Sequence, residues 1–325
     1  MYTIPPAYLT PFFLALNAVS SIGIVYTNKV IFKTQGFGYG TLLTVIHFAI
    51  TTLGLFICQM AGVFETKRVD IIKIIPLCLS FCGFVALTNM SLVYNTIGFY
   101  QLIKVLTTPL LVIIQTLFYG KTFSLKIKLA LTITCVGVAI ATGSDSQANF
   151  IGTVVALSAL LITCMYQIWV GTKQTELQCN SFQLLYYQAP ISCVMLIPIS
   201  FFSDNLMETF YMPCFDTMCW ILFSGVLAFF VNISIFLVIG ETSPVTYNVL
   251  GHFKLCVILS LGFVAFGDDI NFRILSGILL TLTGIFWYTN LKMAEGAKAK
   301  EEAEKAELKT VEVSHDEEGS DEKDA

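Results

Sequence analysis

Apolar residues run through this chain in blocks of about twenty, too long for strands and without the polar face of a soluble helix. A bilayer core about 30 Å thick needs about 20 predominantly apolar residues per helix. On that ruler ten spans are predicted. The first five are Tyr8 to Ile31, Thr41 to Phe64, Ile71 to Leu92, Ile97 to Tyr119 and Ile127 to Gly143. The second five are Ile151 to Thr172, Gln183 to Ser203, Met218 to Gly240, Val245 to Phe266 and Ile274 to Leu291. The segments between them are short, so any chemistry has to take place between the helices.

Composition agrees: 56% of the 325 residues are hydrophobic and 12% charged, against about 25% charged in an ordinary soluble domain. The charge is also uneven. From Lys292 to Ala325 six lysines face twelve acidic residues, a net of −6, which leaves +2 on the first 291 residues. A secreted disulfide scaffold, a nucleic-acid binder and a conventional soluble enzyme are excluded. Residues 293–325 form an acidic tail, expected to continue as a surface helix and then to be disordered. With the N-terminus inside, the inner segments hold 13 Lys and Arg, and the outer ones only Lys29, Lys33 and Arg273. Both termini are therefore expected to be cytosolic. The N-terminus lacks the basic residues of a signal or transit peptide.

A repeat is visible at a fixed offset. Tyr119-Gly120 and Phe266-Gly267 are 147 residues apart, as are Gly137 and Gly284 and the basic pair Lys126 and Arg273. Thr88-Asn89-Met90-Ser91 also resembles Val231-Asn232-Ile233-Ser234. Five spans is an odd number, so a second copy enters the membrane from the other side. The expectation is an all-α membrane protein with ten transmembrane helices in a 5+5 inverted repeat. Its halves cover about residues 1–146 and 147–292 of a transporter domain spanning residues 1–292.

Of the 40 charged residues, 38 fall in the tail, the loops or the span ends. The exceptions are Lys104 and Lys254. A lysine at mid-membrane costs about 2.5–3.5 kcal/mol on insertion scales, and no Asp or Glu lies deep in a span to offset it. At a rise of about 1.5 Å per residue, Lys104 sits about 11 Å below one surface and Lys254 about 14 Å from the other. These heights nearly meet, and their stems are too short to snorkel that far. Carbonyl oxygens or a lipid phosphate could partner them, but the favoured reading is a binding site for a phosphorylated anion.

Thr88, Tyr100, Tyr187, Gln188, Tyr247 and Asn248 join the two lysines as candidate binding residues, with Tyr186 and His252 nearby. Tyrosines can stack on a base, and interfacial belts also collect them. Thr88, Asn89 and Asn232 are equally suited to joining helices. His47 reads as a satisfied interhelical histidine. No metal or cofactor motif, nucleophile or acid pair appears at membrane depth. The ten cysteines read mostly as small hydrophobes, and Cys214 and Cys219 are left open.

The runs TNMSLVYNTIGFYQLIKVLTTP, LLYYQAP and SPVTYNVLGHFK resemble the nucleotide-sugar and triose-phosphate transporter branch of the drug/metabolite transporter superfamily. The chain is most similar to the animal solute carrier family 35, subfamily E type. The resemblance implies ten helices, alternating access and exchange of one phosphorylated compound for another. It implies phosphate-holding roles for Thr88, Lys104 and Lys254. Leu255, Val85 and Val231 stand where triose-phosphate members carry arginine, histidine and tyrosine, which favours the nucleotide-sugar carriers. The expected function is exchange of a nucleotide sugar for a nucleoside monophosphate in a Golgi or ER membrane. A sugar-phosphate or phosphoenolpyruvate antiporter and a non-transporting scaffold are the alternatives.

Overall fold

The computed structural model describes residues 6–94, 103–142, 150–209, 211–248, 250–251, 254, 272–273, 275–292 and 294–295. Tyr100, His252 and the tail beyond residue 295 lie outside them. Every regular element among the described residues is helical. Helix α1 (Pro6–Lys29) runs on into a π-helical turn at Val30–Thr34, followed by α2 (Gly40–Met60) and α3 (Ile71–Tyr94). Next come α4 (Ile103–Tyr119), α5 (Leu125–Thr142), α6 (Phe150–Glu176) and α7 (Ser181–Ser203). A single turn, α8 (Leu206–Thr209), precedes α9 (Phe215–Glu241). Helical residues between 244 and 254 form α10, and 275–292 form α11.

Six of these helices are long and apolar enough to cross a bilayer, and α4 is a shorter apolar helix. The protein is an integral membrane protein. Large apolar side chains such as Leu117, Phe118, Val194 and Phe202 are exposed on the outside of the bundle. There lipid rather than water is their solvent, while each helix satisfies its own backbone.

The core forms where α2, α3, α6, α7 and α9 meet, around Leu55, Leu77, Phe81, Leu185 and Phe236. Helix α3 packs on α6 and α7, α2 on α7 and α9, and α1 on α9. Helices α5 and α11 meet through two glycines. A Cβ on Gly137 would stand 2.5 Å from the Thr281 backbone nitrogen and 2.8 Å from the Gly277 carbonyl oxygen. A Cβ on Gly284 would stand 2.7 Å from the Thr134 nitrogen and 2.8 Å from the Ala130 carbonyl oxygen. Both sets of partners repeat the 147-residue offset, so each helix presents the same surface to the other. Close backbone approach through small residues is how helices associate where no hydrophobic effect drives them together.

Polar groups finish the helix ends. Helix α7 starts with a capping box, Asn180 accepting from the Gln183 backbone and Gln183 accepting from Asn180. Helix α2 starts at Tyr39 without a cap of its own. Its Thr41 and Leu42 N–H groups donate instead to the Asp204 carboxylate, at 3.2 and 2.7 Å, across from the end of α7. An acidic acceptor at a helix N-terminus stabilises by about 1 kcal/mol. At the other end of the bundle, Lys67 donates to the Leu177 and Gln178 carbonyls, at 3.2 and 2.8 Å, and Gln183 to the Glu65 carbonyl. Connections from different parts of the chain are thus tied at both ends.

The crossing of α5 and α11 generates a test. Gly137→Ala places a methyl group against backbone that cannot yield, so overpacking should cost about 1–3 kcal/mol. Thermal unfolding of the detergent-solubilised protein should show the loss, and Gly284→Ala should match it in size.

Candidate functional site

Lys104 sits beside a break in α4. Pro109 has no N–H to give the Val105 carbonyl, and its ring crowds the preceding turn. The helix tightens there: Leu106 N–H bonds the Ile103 carbonyl, Thr107 Oγ1 donates to the Lys104 carbonyl at 2.6 Å, and regular helix resumes at Thr107. Helix α10 begins beneath it with Ser243, whose hydroxyl accepts the Thr246 N–H at 3.1 Å, and with Pro244 at the first helical position. This is a serine N-cap followed by a proline that needs no partner. Tyr247 and Lys254 lie seven residues apart in the sequence.

These elements enclose a cavity of about 180 Å³ between α3, α4, α6, α9 and α10. Lys104, Thr107, Thr163, Tyr166, Gln167 and Tyr247 give it polar and aromatic walls. Lys104 is exposed, and its charge acts on that of Lys254. The Lys254 ammonium lies 5.2 Å from the centroid of the Tyr247 ring, within cation–π range. It is buried, 8% exposed, and donates to Asn17 Oδ1 at 2.7 Å and to Ser21 Oγ at 3.2 Å. Both partners come from α1 and both are neutral. Asn248 donates to Gln167 Oε1 and to the Pro244 carbonyl, fixing α10 against α6.

The remaining sequence-predicted residues are placed as follows. Thr88 lies one turn beyond Phe84, which lines the cavity from α3. Gln188 is fully buried on α7, beside Tyr166 and one layer back from the cavity. Tyr187 faces away to the end of the bundle, where its hydroxyl donates to the Lys67 carbonyl at 2.6 Å. Tyr100 is not among the described residues. Asn89 donates to Thr41 Oγ1 at 2.8 Å and Asn232 to Thr51 Oγ1 at 3.0 Å, so both join helices. His47 is bonded to Ser224 at 2.9 Å. Cys214 and Cys219 are exposed free thiols, and a hydrogen bond with Thr217 draws the Cys214 thiol below its usual range.

Four contributors escaped the sequence reading: Asn17, Ser21, Tyr166 and Gln167. Asn17 and Ser21 are polar residues four apart in an apolar span, and that spacing was the available signal. Among the described residues no group of three or more His, Cys, Asp or Glu could hold a metal ion.

Two large vestibules lie at opposite ends of the bundle. One, of about 910 Å³, is lined by the ends of α4, α6 and α9 and the starts of α7 and α10, with Lys121, Asn180 and Glu241 at its walls. The other, of about 930 Å³, is lined by the ends of α1, α3 and α7 and the start of α2, with Asn28, His47 and Asp204.

Residues 9–289 match the Triose-phosphate Transporter family. The chain belongs to that family. It is a membrane carrier and not an enzyme. Among relatives of this carrier is UDP-xylose transporter 3 of Arabidopsis thaliana, 38% identical over 280 residues, spanning 85% of this chain and 78% of that one. UDP-xylose transporter 1 of the same plant is 39% identical over 282 residues, spanning 85% and 82%. UDP-rhamnose/UDP-galactose transporter 2 is 32% identical over 281 residues, spanning 85% and 81%. The carrier also superposes on a crystal structure of another protein with a TM-score of 0.64, over 86% of this chain and 98% of that one, at 14% identity. That last likeness is one of fold.

The Tyr187 hydroxyl provides a discriminating measurement. Tyr187→Phe removes one hydrogen bond, worth about 0.5–1.5 kcal/mol, at the bundle end. It should lower the unfolding temperature and leave the KM of transport within about twofold of the parent carrier.

Proposed function

We propose that this carrier exchanges a nucleotide sugar for a nucleoside monophosphate across a Golgi or ER membrane. It does so by alternating access of a 5+5 inverted repeat of ten helices with both termini in the cytosol. The observation that carries the reading is Lys104 in the wall of an aromatic, polar cavity, with Lys254 set against the Tyr247 ring of that wall and held by neutral groups. Two cations at that depth suit a phosphorylated anion. Tyr166 and Tyr247 suit a base or sugar ring. Three relatives are transporters of UDP-sugars, which supports a nucleotide-linked cargo.

The repeat is supported by the α5–α11 crossing, whose two halves share one offset, and by the exchange of partners between α3 on α6 and α1 on α9. Helices α4 and α10 are counterparts under that repeat, so each half contributes one lysine. Phosphate binding is assigned to Lys104 and Lys254, with Thr88, Tyr100, Tyr247 and Asn248 beside them. Tyr187 and Gln188 would join only if α7 moves during the transport cycle.

Exchange follows from electrostatics. Reorienting the empty carrier takes the ammonium groups of Lys104 and Lys254 through a closed, low-dielectric state with no cargo charge beside them. A bound phosphorylated cargo neutralises both. A difference of about 3 kcal/mol between the two barriers slows the empty carrier roughly a hundredfold. Influx then depends on cargo waiting on the far side.

Purified carrier in liposomes preloaded with UMP should take up labelled UDP-xylose or another UDP-sugar at least tenfold faster than carrier in empty liposomes. Equal rates would reject exchange, and uptake competed by inorganic phosphate but not by nucleotides would reject the nucleotide sugar. Lys104→Ala and Lys254→Ala should each reduce uptake at least a hundredfold with expression intact.

A further inference from the structure

The Lys254 ammonium is gripped by an asparagine where a carboxylate would bind it more strongly. Asn17 is completely buried, at 0% exposed, in the middle of α1. Its side chain makes two bonds of opposite kind: Oδ1 accepts from Lys254 at 2.7 Å, and Nδ2 donates to Ser234 Oγ on α9 at 2.9 Å. Ser234 spends its own hydroxyl proton on the Val231 carbonyl at 2.9 Å, so its oxygen is left as an acceptor. That fixes which end of the Asn17 amide faces α9 and turns the oxygen toward the lysine. Ser21, one turn along α1, adds a second neutral acceptor at 3.2 Å. Among the described residues, the groups that face the ammonium are Asn17, Ser21 and the Tyr247 ring, with Lys104 acting on it through space.

We propose that Asn17 is the positioning residue of the anion site: it holds Lys254 against the Tyr247 ring, which lines the cavity, through a neutral amide whose orientation Ser234 sets, leaving the full positive charge for the cargo. The inference rests on Lys254 being the cargo's anchor, and deepens that reading by assigning the group that aims it. A carboxylate at position 17 would satisfy the same geometry and cancel the charge. An apolar residue would leave the ammonium without its nearest acceptor and free to swing. The amide meets both requirements at once. It also ties α1, α9 and α10 together at the depth of the site, so a movement of Lys254 toward bound phosphate is felt by α1 and α9.

Asn17→Asp is the decisive variant because it keeps size and shape while adding one negative charge. It should raise the KM of the exchanged cargo at least tenfold, with an unfolding temperature equal to or above that of the parent carrier. A role confined to helix packing would leave KM unmoved, and a folded Asn17→Asp carrier with unchanged KM would overturn the proposal. Ser234→Ala, which releases the amide from its fixed orientation, should raise KM about threefold or more. It decides the matter if Asn17→Asp does not fold, since an unchanged KM there overturns the proposal equally. The assay uses UMP, glucose 6-phosphate and inorganic phosphate in parallel. If the carrier exchanges one of the latter two instead of UMP, the nucleotide-sugar reading fails while Asn17 is judged on the cargo that moves. A readout independent of transport is competitive acylation of Lys254 against the exposed Lys121, followed by mass spectrometry. Asn17→Asp should slow acylation of Lys254 at least fivefold by pairing its ammonium, and unchanged reactivity counts against the proposal.

Discussion

An ammonium group within a bilayer has to be partnered without being cancelled, and the rest of this structure is arranged around that constraint. Isolated, the charge costs several kcal/mol. Paired with a carboxylate, it would be comfortable and of little use to an anionic cargo. The carrier takes a middle course at Lys254, giving it an amide oxygen, a hydroxyl and an aromatic face. Each contributes partial negative charge and none contributes a full one. Because these groups come from α1 and α10, the position of the lysine depends on how those helices meet.

The bundle supplies that fixity mostly through small residues and polar ties. Gly137 and Gly284 let α5 and α11 approach to backbone contact, and asparagines at 89 and 232 bond threonines at 41 and 51 on α2. In lipid, apolar contacts between helices gain little over contacts with acyl chains, so close packing and hydrogen bonds decide the arrangement. The α2 N-terminus illustrates this. It lacks a capping side chain, and Asp204 beyond the end of α7 supplies one. A local deficiency is thereby turned into a contact between distant parts of the chain.

Much of this was legible in the sequence because the bilayer makes length and hydrophobicity decisive. Spans such as 41–64, 151–172 and 218–240 coincide with α2, α6 and α9 to within a few residues, since a run of twenty apolar residues has few other uses. The lysines were legible for the same reason: a charge in such a run is conspicuous. The π-helical turn after Lys29 and the break at Leu106 were not predicted. The first leaves no compositional mark, and the second depends on how the chain accommodates Pro109. Tyr187 and Gln188 show the limit of reading neighbours as partners. Adjacent residues on a helix point about 100° apart, so one reaches the end of the bundle while the other turns inward to Tyr166. Asn17 was missed because attention to charge passes over a neutral residue, although its importance lies in being neutral.

The dimensions of the cavity bear on how such a site could be used. At about 180 Å³ the cavity beside Lys104 and Tyr247 is smaller than the roughly 300 Å³ or more of a typical ligand pocket. It can take a phosphate group and its immediate surroundings, but not a whole nucleotide sugar. The vestibules at the two ends are each about five times larger and nearly equal, at about 910 and 930 Å³. A cargo anchored by its phosphates at the cavity therefore has to extend toward one vestibule or widen the gap between α4 and α10. Under the proposed repeat, α4 and α10 are counterparts, and each carries one lysine. Widening on one side and narrowing on the other would keep both charges on the phosphates while the open vestibule changes. Pro109 and Pro244 each remove a backbone donor within those two helices. Prolines and lysines then lie on the same two helices, an arrangement that would couple cargo charge to movement under the proposed exchange.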